Sequence, residues 1–384
     1  MNHAVMLLSN AFRPDPRVLK EAESLAALGY RISIVCWDRL SEMEPEETLE
    51  SGVHVLRVQA IHSAYGIGMR QLLHLPRFWL ATLPILNRLG PDLIHCHDFD
   101  TLPLGLLWGK IHRRPVVYDA HEYYALLCKP RLHGPCGKLL YRLIDFAERV
   151  SARAASTVVT VDESLGATYR QMNKRVVIIG HYPNRHYAAE TTHVFNHTSL
   201  TLIYIGRLSV DRGVLIYIDL LRRLREKGIP ARLRLVGVFT SQEEEEHVRQ
   251  YCQELGEALD IIYWIHYKKV FALLREADIG LVILQPEPRY VAALPVKLFE
   301  YMAAGLPVVA SNFSPIASIL EETRCGVTID PLAPEAAVHH VIYWWEHPEE
   351  ARFAGENGRQ AILQRYNWET FTSELDHLYR SLLN

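Results

Sequence analysis

The stretch LPVKLFEYMAAGLPVVAS, residues 294–311, decides the reading of the fold. Its middle, Lys297 to Ala304, has the character of a short helix. Pro295 stands just before or at the first helical position, where a missing N–H costs nothing, and Gly305 is a C-terminal stop. Pro307 then opens the apolar run Val308-Val309-Ala310, which has the character of a buried strand. A helix starting near Val296 turns the free N–H groups of residues 296 to 298 toward whatever lies above it, and the helix dipole favours an anion there. Helical side chains lean toward the N-terminus, so Glu300 reaches back to the same place. A carboxylate is a poor neighbour for phosphate but a good acceptor for a vicinal diol. Amides for phosphates and an acid for ribose together suit a nucleotide, and Lys297 adds a point charge. The plainer reading makes Glu300 a complement to the helix dipole and Lys297 a solvated surface residue.

Working outward, short runs rich in Val, Ile and Leu alternate with longer amphipathic stretches along the whole chain. Residues 5–8, 32–35, 53–58, 92–95, 116–120, 156–161 and 175–179 form one series. Residues 201–206, 232–237, 261–265, 279–284, 307–311 and 326–329 form a second. Most of these runs do not alternate polar with apolar residues, as expected of strands covered by helices on both faces. Strand–helix alternation predicts parallel sheets with right-handed crossovers. The rhythm breaks at the polar segment 181–199, which contains Pro183-Asn184. The reading is therefore two doubly wound α/β domains, 1–184 and 185–366. In such sheets ligands bind beyond the carboxyl ends of the strands.

The 384 residues suit two cores, and 49% hydrophobic with 22% charged content is ordinary for a globular chain. A formal net charge of −3 argues against a nucleic-acid partner. Residues 1–184 hold 21 Lys/Arg and 18 Asp/Glu, the remainder 20 and 26, so the first half is the basic one. Six scattered cysteines without a CxxC pair fit a reducing compartment. The start resembles no signal peptide and no run approaches a membrane span, so a cytoplasmic location is expected. Two stretches, 69–88 and 129–153, mix basic with apolar residues and are candidates for peripheral contact with an anionic membrane at its inner face. Ordinary core-packed helices with a solvated face have the same composition.

Strand ends carry the remaining chemistry. After strand 201–206, Gly206 leads into a loop with Arg207 and Arg212, two guanidiniums suited to phosphate oxygens and to a leaving diphosphate. At 92–100, DLIHCHDFD, the reading sends one of His95 and His97 to the crevice and the other to a helix layer. Asp98 and Asp100 form a DxD, and His-x-His could bind a metal. Both metal readings are set aside because no further His/Asp cluster with ligand spacing accompanies them. His121 and Glu122 follow the run 116–120, but Ala125 stands where a zinc-protease motif needs its second histidine. The segment 134–140 has the wrong spacing for a phosphate-binding P-loop.

Taken together, these segments resemble the retaining glycosyltransferases of family 4, which have the two-domain GT-B fold. The resemblance runs through residues 12–35, 91–102, 205–214, 277–284, 294–311, 325–331 and 357–369. It implies two Rossmann-like domains facing across a cleft, an N-terminal acceptor domain and a C-terminal nucleotide-sugar domain. It further implies that 367–384 is a helix crossing back onto the first domain. By resemblance, His97, Arg207 and Arg212 are catalytic. Val296, Lys297, Leu298, Glu300, Gly206 and Glu287 hold the donor. Asp15, Arg17, His121 and Glu122 meet the acceptor. Arg212 stands where most members have lysine. Ala292 stands where they have the first acid of E-x7-E, and Glu287 is its nearest replacement.

The reaction so implied moves a hexosyl group from a UDP- or GDP-linked sugar such as GDP-mannose to an acceptor hydroxyl. It keeps anomeric configuration and uses no metal or other cofactor. The departing phosphate oxygen acts as base in front-face attack. The expected acceptor is a sugar or lipid-linked sugar in cell-surface polysaccharide or glycolipid synthesis. Two rivals remain: a non-catalytic nucleotide-sugar-binding protein, whose mark would be loss of Arg207 or Glu300, and a metal-dependent hydrolase using His95 and His97.

Overall fold

The computed structural model describes residues 1–13, 15–63, 73–129, 132–190, 198–263 and 267–384. Parts of five segments singled out above, residue 14 and residues 69–72, 130–131, 191–197 and 264–265, lie outside them. The chain forms two compact units, Met1–His181 with Phe371–Asn384, and Tyr182–Thr370. Tyr182 goes with the second unit because its ring packs edge-on against Phe299 and Tyr366.

The first unit is built on the strands β1 (His3–Leu8), β2 (Arg31–Trp37), β3 (Glu46–Thr48), β4 (His54–Val58), β5 (Leu93–His97), β6 (Val116–Ala120), β7 (Thr157–Thr160) and β8 (Val176–Ile178). Their order is β3-β4-β2-β1-β5-β6-β7-β8. All pairings are parallel except β3 with β4. The antiparallel edge strand, Glu-Glu-Thr, is too short and polar to show in the hydrophobic pattern, and its charges suit an edge. One sheet face carries Ile94, Cys96, Val116, Tyr118 and Ala120. The helices α2 (Leu75–Leu89), α3 (Leu102–His112), α4 (Tyr124–Cys128) and α5 (Gly134–Ala154) pack into the same core, as does the helix Glu163–Arg170 through Tyr169. The opposite face meets α1 (Pro16–Ala27) and the end of the C-terminal helix Trp368–Leu383, whose Tyr379 hydroxyl lies 2.8 Å from Nδ1 of His95.

The second unit has a wholly parallel sheet of β9 (Leu200–Ile205), β10 (Ala231–Val236), β11 (Leu259–Ile262), β12 (Ile279–Val282), β13 (Val308–Ser311) and β14 (Gly326–Ile329). Its order is β11-β10-β9-β12-β13-β14. Period-two alternation splits β9 cleanly. Leu202 and Tyr204 enter the core shared with helix Val214–Glu226, while Ile203 enters the core shared with helix Val296–Ala303.

Strand order reverses between β1 and β5 in the first unit, and between β9 and β12 in the second. Neighbouring connections depart to opposite faces at such a point and leave a crevice beyond the strand ends. The residues picked from the sequence fall there: 15, 17, 97, 98, 100, 121 and 122 in the first unit, 206, 207, 212, 287, 296–298 and 300 in the second.

Candidate functional site

In the second unit the helix Val296–Ala303 begins with Pro295 in extended conformation as its N-cap. The N–H of Leu298 donates to the Pro295 carbonyl at 3.0 Å. This corrects the set of three amides: the first turn tightens and consumes one, which leaves those of Val296 and Lys297 as the helix's orphan donors. Tyr301 braces the helix against the sheet. Its hydroxyl accepts from the Ile205 N–H at 2.9 Å, and a Cβ on Gly280 would lie 2.4 Å from its ring. The helix therefore stands where β9 ends.

Lys297 is the unexpected member of this region. It is buried, not a solvated surface residue, and among the described residues its Nζ has no hydrogen-bond partner. The ammonium sits over the Tyr204 ring at 3.7 Å and against the backbone of Gly206, where an added Cβ would meet it at 2.8 Å. Gly206 has φ 134°, so it serves both conformation and close approach. Burial, and then the neighbouring Arg212, push the Lys297 proton affinity well down, while Glu300 opposes them. Arg212 donates to the Tyr290 hydroxyl at 3.2 Å, and that hydroxyl donates to Asp211 at 2.8 Å. Arg207 is exposed in the loop, anchored through its carbonyl, which accepts from the Tyr204 hydroxyl at 2.9 Å. Glu300 is buried one turn above Lys297. Glu287 is exposed and precedes the short helix Pro288–Val291, with Ala292 at that helix's far end. Tyr204, Tyr290 and Asp211 were missed in the sequence. The tyrosines have no motif, and their role appears only where three strand ends meet.

The first unit gathers a different set. His95 and His97 do not face opposite layers: their rings stack with centroids 4.6 Å apart and planes within 8°. The reason is the strand period, which puts residues two apart on one face. The same rule places Asp119 of β6 beside them. Asp119 accepts from Nε2 of His121 at 2.9 Å and lies 2.9 Å from Nδ1 of His97. Nδ1 of His121 in turn accepts from Arg17 at 2.8 Å, and Arg17 is held by Asp15, the N-cap of α1, at 2.8 Å. Although burial opposes it, these histidines hold Asp119 well below the usual carboxylate range. Burial, and then His95, lower His97 to about 4, so it is neutral at pH 7. Burial works against a charged His121 too, but Asp119 outweighs it and raises its proton affinity. Glu122 is exposed beside this chain of contacts.

Glu21 of α1 completes the cluster. Its carboxyl is buried 3.8 Å from Nε2 of His95, and burial, then the Asp119 charge, raise its proton affinity well above the usual carboxylate range. Glu21, His95, His97 and Asp119 offer ligand atoms all within 4.8 Å of one another. The expectation that no further acid accompanies the histidines is thus corrected. The partners come from residues 21 and 119, too far along the chain for any spacing rule to link them. Asp98 takes a left-handed turn with φ 63°, and burial with Asp98 nearby raises the Asp100 carboxyl to about 7.

Residues 189–361 match the family described as glycosyl transferases group 1, and residues 14–180 match the glycosyl transferase 4-like domain. The chain carries the two domains of a group 1 glycosyltransferase. An uncharacterized glycosyltransferase of Methanocaldococcus jannaschii is 23% identical over 94% of this chain and 92% of its own. A GDP-mannose-dependent alpha-(1-6)-phosphatidylinositol dimannoside mannosyltransferase of Mycobacterium tuberculosis is 29% identical over 79% and 77%. In fold, sucrose-phosphate synthase from Thermosynechococcus elongatus superposes with a TM-score of 0.81 at 19% identity, over 99% of both chains. In this group 1 glycosyltransferase the buried lysine and the orphan amides lie in the group 1 domain, and the histidine cluster lies in the 4-like domain.

Proposed function

We propose that this glycosyltransferase moves a hexosyl group from a UDP- or GDP-linked sugar to the hydroxyl of a sugar or lipid-linked acceptor. The anomeric configuration is retained, no metal takes part, and the work is done on the cytoplasmic side in cell-surface glycan synthesis. One observation carries the donor reading: a buried ammonium, Lys297, without an acceptor among the described residues, beside a second cation and at a helix N-terminus. An unpaired buried cation is costly, and an anion arriving there relieves burial and repulsion together. A nucleoside diphosphate fits, with its phosphates on Lys297, Arg212, Arg207 and the amides of Val296 and Lys297. Glu300, one turn on, then accepts from the ribose hydroxyls. As the bond to the sugar breaks, the diphosphate gains charge, and cations fixed in place stabilise it without reorganising. His97, neutral at pH 7, and the Asp15–Arg17–His121 chain with Glu122 serve the acceptor end. Glu287 stands in for the acid absent at Ala292.

GDP-mannose is the first donor to try, because the mycobacterial relative is named for it. A screen of nucleotide sugars that detects released nucleoside diphosphate tests the proposal. Turnover with one donor, unaffected by EDTA, is the expected result. Binding without turnover for every donor and acceptor would leave a nucleotide-sugar-binding protein. The four-ligand cluster gives a metal-centred hydrolase its one supporting observation. Activity lost to EDTA and restored by a divalent cation would favour it.

A further inference from the structure

Helix α1 turns Val18, Glu21, Ala22 and Leu25 inward. An acid in that stripe is out of place, because a glutamate is almost never fully buried unless it is paired. Glu21 is buried, and among the described residues neither of its carboxyl oxygens has a hydrogen-bond partner. The strand beneath it is in the same condition. Nε2 of His95 and both ring nitrogens of His97 are buried and, among the described residues, without a hydrogen-bond partner. Buried polar atoms left in this way are costly, and here they converge on one point.

The sheet fixes that convergence. β5 and β6 pair with His97 opposite Asp119, and the strand period brings His95 to the same face. Nδ1 of His97 lies 2.9 Å from Oδ2 of Asp119, without the alignment of a hydrogen bond. Nε2 of His95 lies 3.8 Å from that oxygen and 3.8 Å from Oε2 of Glu21. One atom from each of the four side chains lies within 4.8 Å of the others. Around a tetrahedral ion with bonds of about 2.0–2.1 Å, neighbouring ligand atoms are about 3.3–3.4 Å apart. The measured separations of 2.9 and 3.8 Å straddle that spacing.

We propose that Glu21, His95, His97 and Asp119 bind one divalent transition-metal ion of the zinc class, which pins α1 to β5 and β6. Two carboxylates balance the charge of the ion, so the buried centre is neutral. Two imidazoles select against Mg²⁺ and Ca²⁺, which take oxygen ligands, and the lack of a thiolate selects against Cu(I). Outer partners that orient such ligands are in place. With Nε2 of His95 on the ion, its Nδ1–H donates to the Tyr379 hydroxyl at 2.8 Å, and Asp119 accepts from Nε2 of His121 at 2.9 Å. Four protein ligands leave no open position for a substrate, so the ion is structural and takes no part in sugar transfer. Nε2 of His97 stays available to the acceptor end. The inference does not rest on the proposed transfer, and its test reads metal content and stability.

Elemental analysis of the purified full chain finds about one zinc per chain. Brief EDTA treatment leaves a buried ion in place, so apo protein is made with a chelator in mild denaturant. It melts lower than the zinc form and recovers when zinc is added. Co²⁺ loaded in place of zinc gives the intense visible absorption of a four-coordinate centre. Tyr379→Phe, which removes only the outer partner of His95, weakens zinc binding about tenfold. Glu21→Gln keeps the size of the side chain, removes a ligand charge and weakens binding further. Nucleoside-diphosphate affinity, a property of the second unit, is unchanged in both variants. No zinc in the purified protein and none taken up by apo protein overturns the proposal. So does wild-type zinc content in Glu21→Gln, which would assign the metal to surface histidines. If Glu21→Gln does not fold, Tyr379→Phe and the Co²⁺ spectrum of wild type decide, and a weak six-coordinate spectrum overturns the proposal.

Discussion

The two strand-end crevices differ in how their charges are answered. In the first unit the central carboxylate is surrounded: Asp119 accepts from His121 and has His97 close by, and Arg17 and Asp15 extend the chain of contacts. In the second unit Lys297 has a tyrosine ring and a glycine backbone around it and, among the described residues, no acceptor. Both groups are buried. A buried charge with its partners present holds a structure together, whereas one without them is costly until a ligand arrives. The contrast is between a network whose charges are answered within its own unit and a cation that the proposed diphosphate would answer.

Four substitutions test the contrast, the largest effect first. Asp119→Asn keeps the shape and removes the charge that the histidines share. Breaking a buried ionic network costs about 3–5 kcal/mol. The melting temperature should fall sharply, with nucleoside-diphosphate affinity unchanged. A loss below about 1 kcal/mol would mean that the histidines hold one another without it. Arg212→Ala should do the reverse. Turnover drops about a hundredfold, about 3 kcal/mol of transition-state stabilisation, while the fold stays intact. A rate within a few-fold of wild type removes Arg212 from the leaving-group site.

Asp100 gives a pH-dependent case. Its folded-state affinity for a proton is raised, to about 7 from an ordinary 3.8. Its contribution to stability is therefore fully present below the unfolded value and is lost as pH rises through about 7. Asp100→Asn should stabilise the protein more at pH 8 than at pH 5, by on the order of 2 kcal/mol. Melting curves at the two pH values decide it, and a destabilised mutant at pH 8 would return Asp100 to a ligand role. The smallest effect is the most diagnostic. Lys297→Met removes a buried ammonium and keeps its stem. It should raise the melting temperature slightly and weaken nucleoside-diphosphate binding about tenfold, about 1.4 kcal/mol. If both fall together, Lys297 is a structural residue.

Much of this protein was legible in its sequence. Uninterrupted apolar runs such as VMLL and IGLVIL can be buried on both faces only in a helix-covered parallel sheet, so the two doubly wound units followed from local pattern. Pro295 and Gly305 fixed the ends of the key helix because their backbone limits hold in any fold. Local reading failed where chemistry depends on residues far apart. His95 and His97 acquire their acid partners only when α1 and β6 bring Glu21 and Asp119 to the same sheet face. Nothing in Pro-Val-Lys-Leu says that the lysine is buried under the Gly206 loop. Sequence sets what each segment can form, since propensity and period act over a few residues. Burial and partnership are properties of the assembled sheet, and they decide which charges are satisfied and which wait for a ligand.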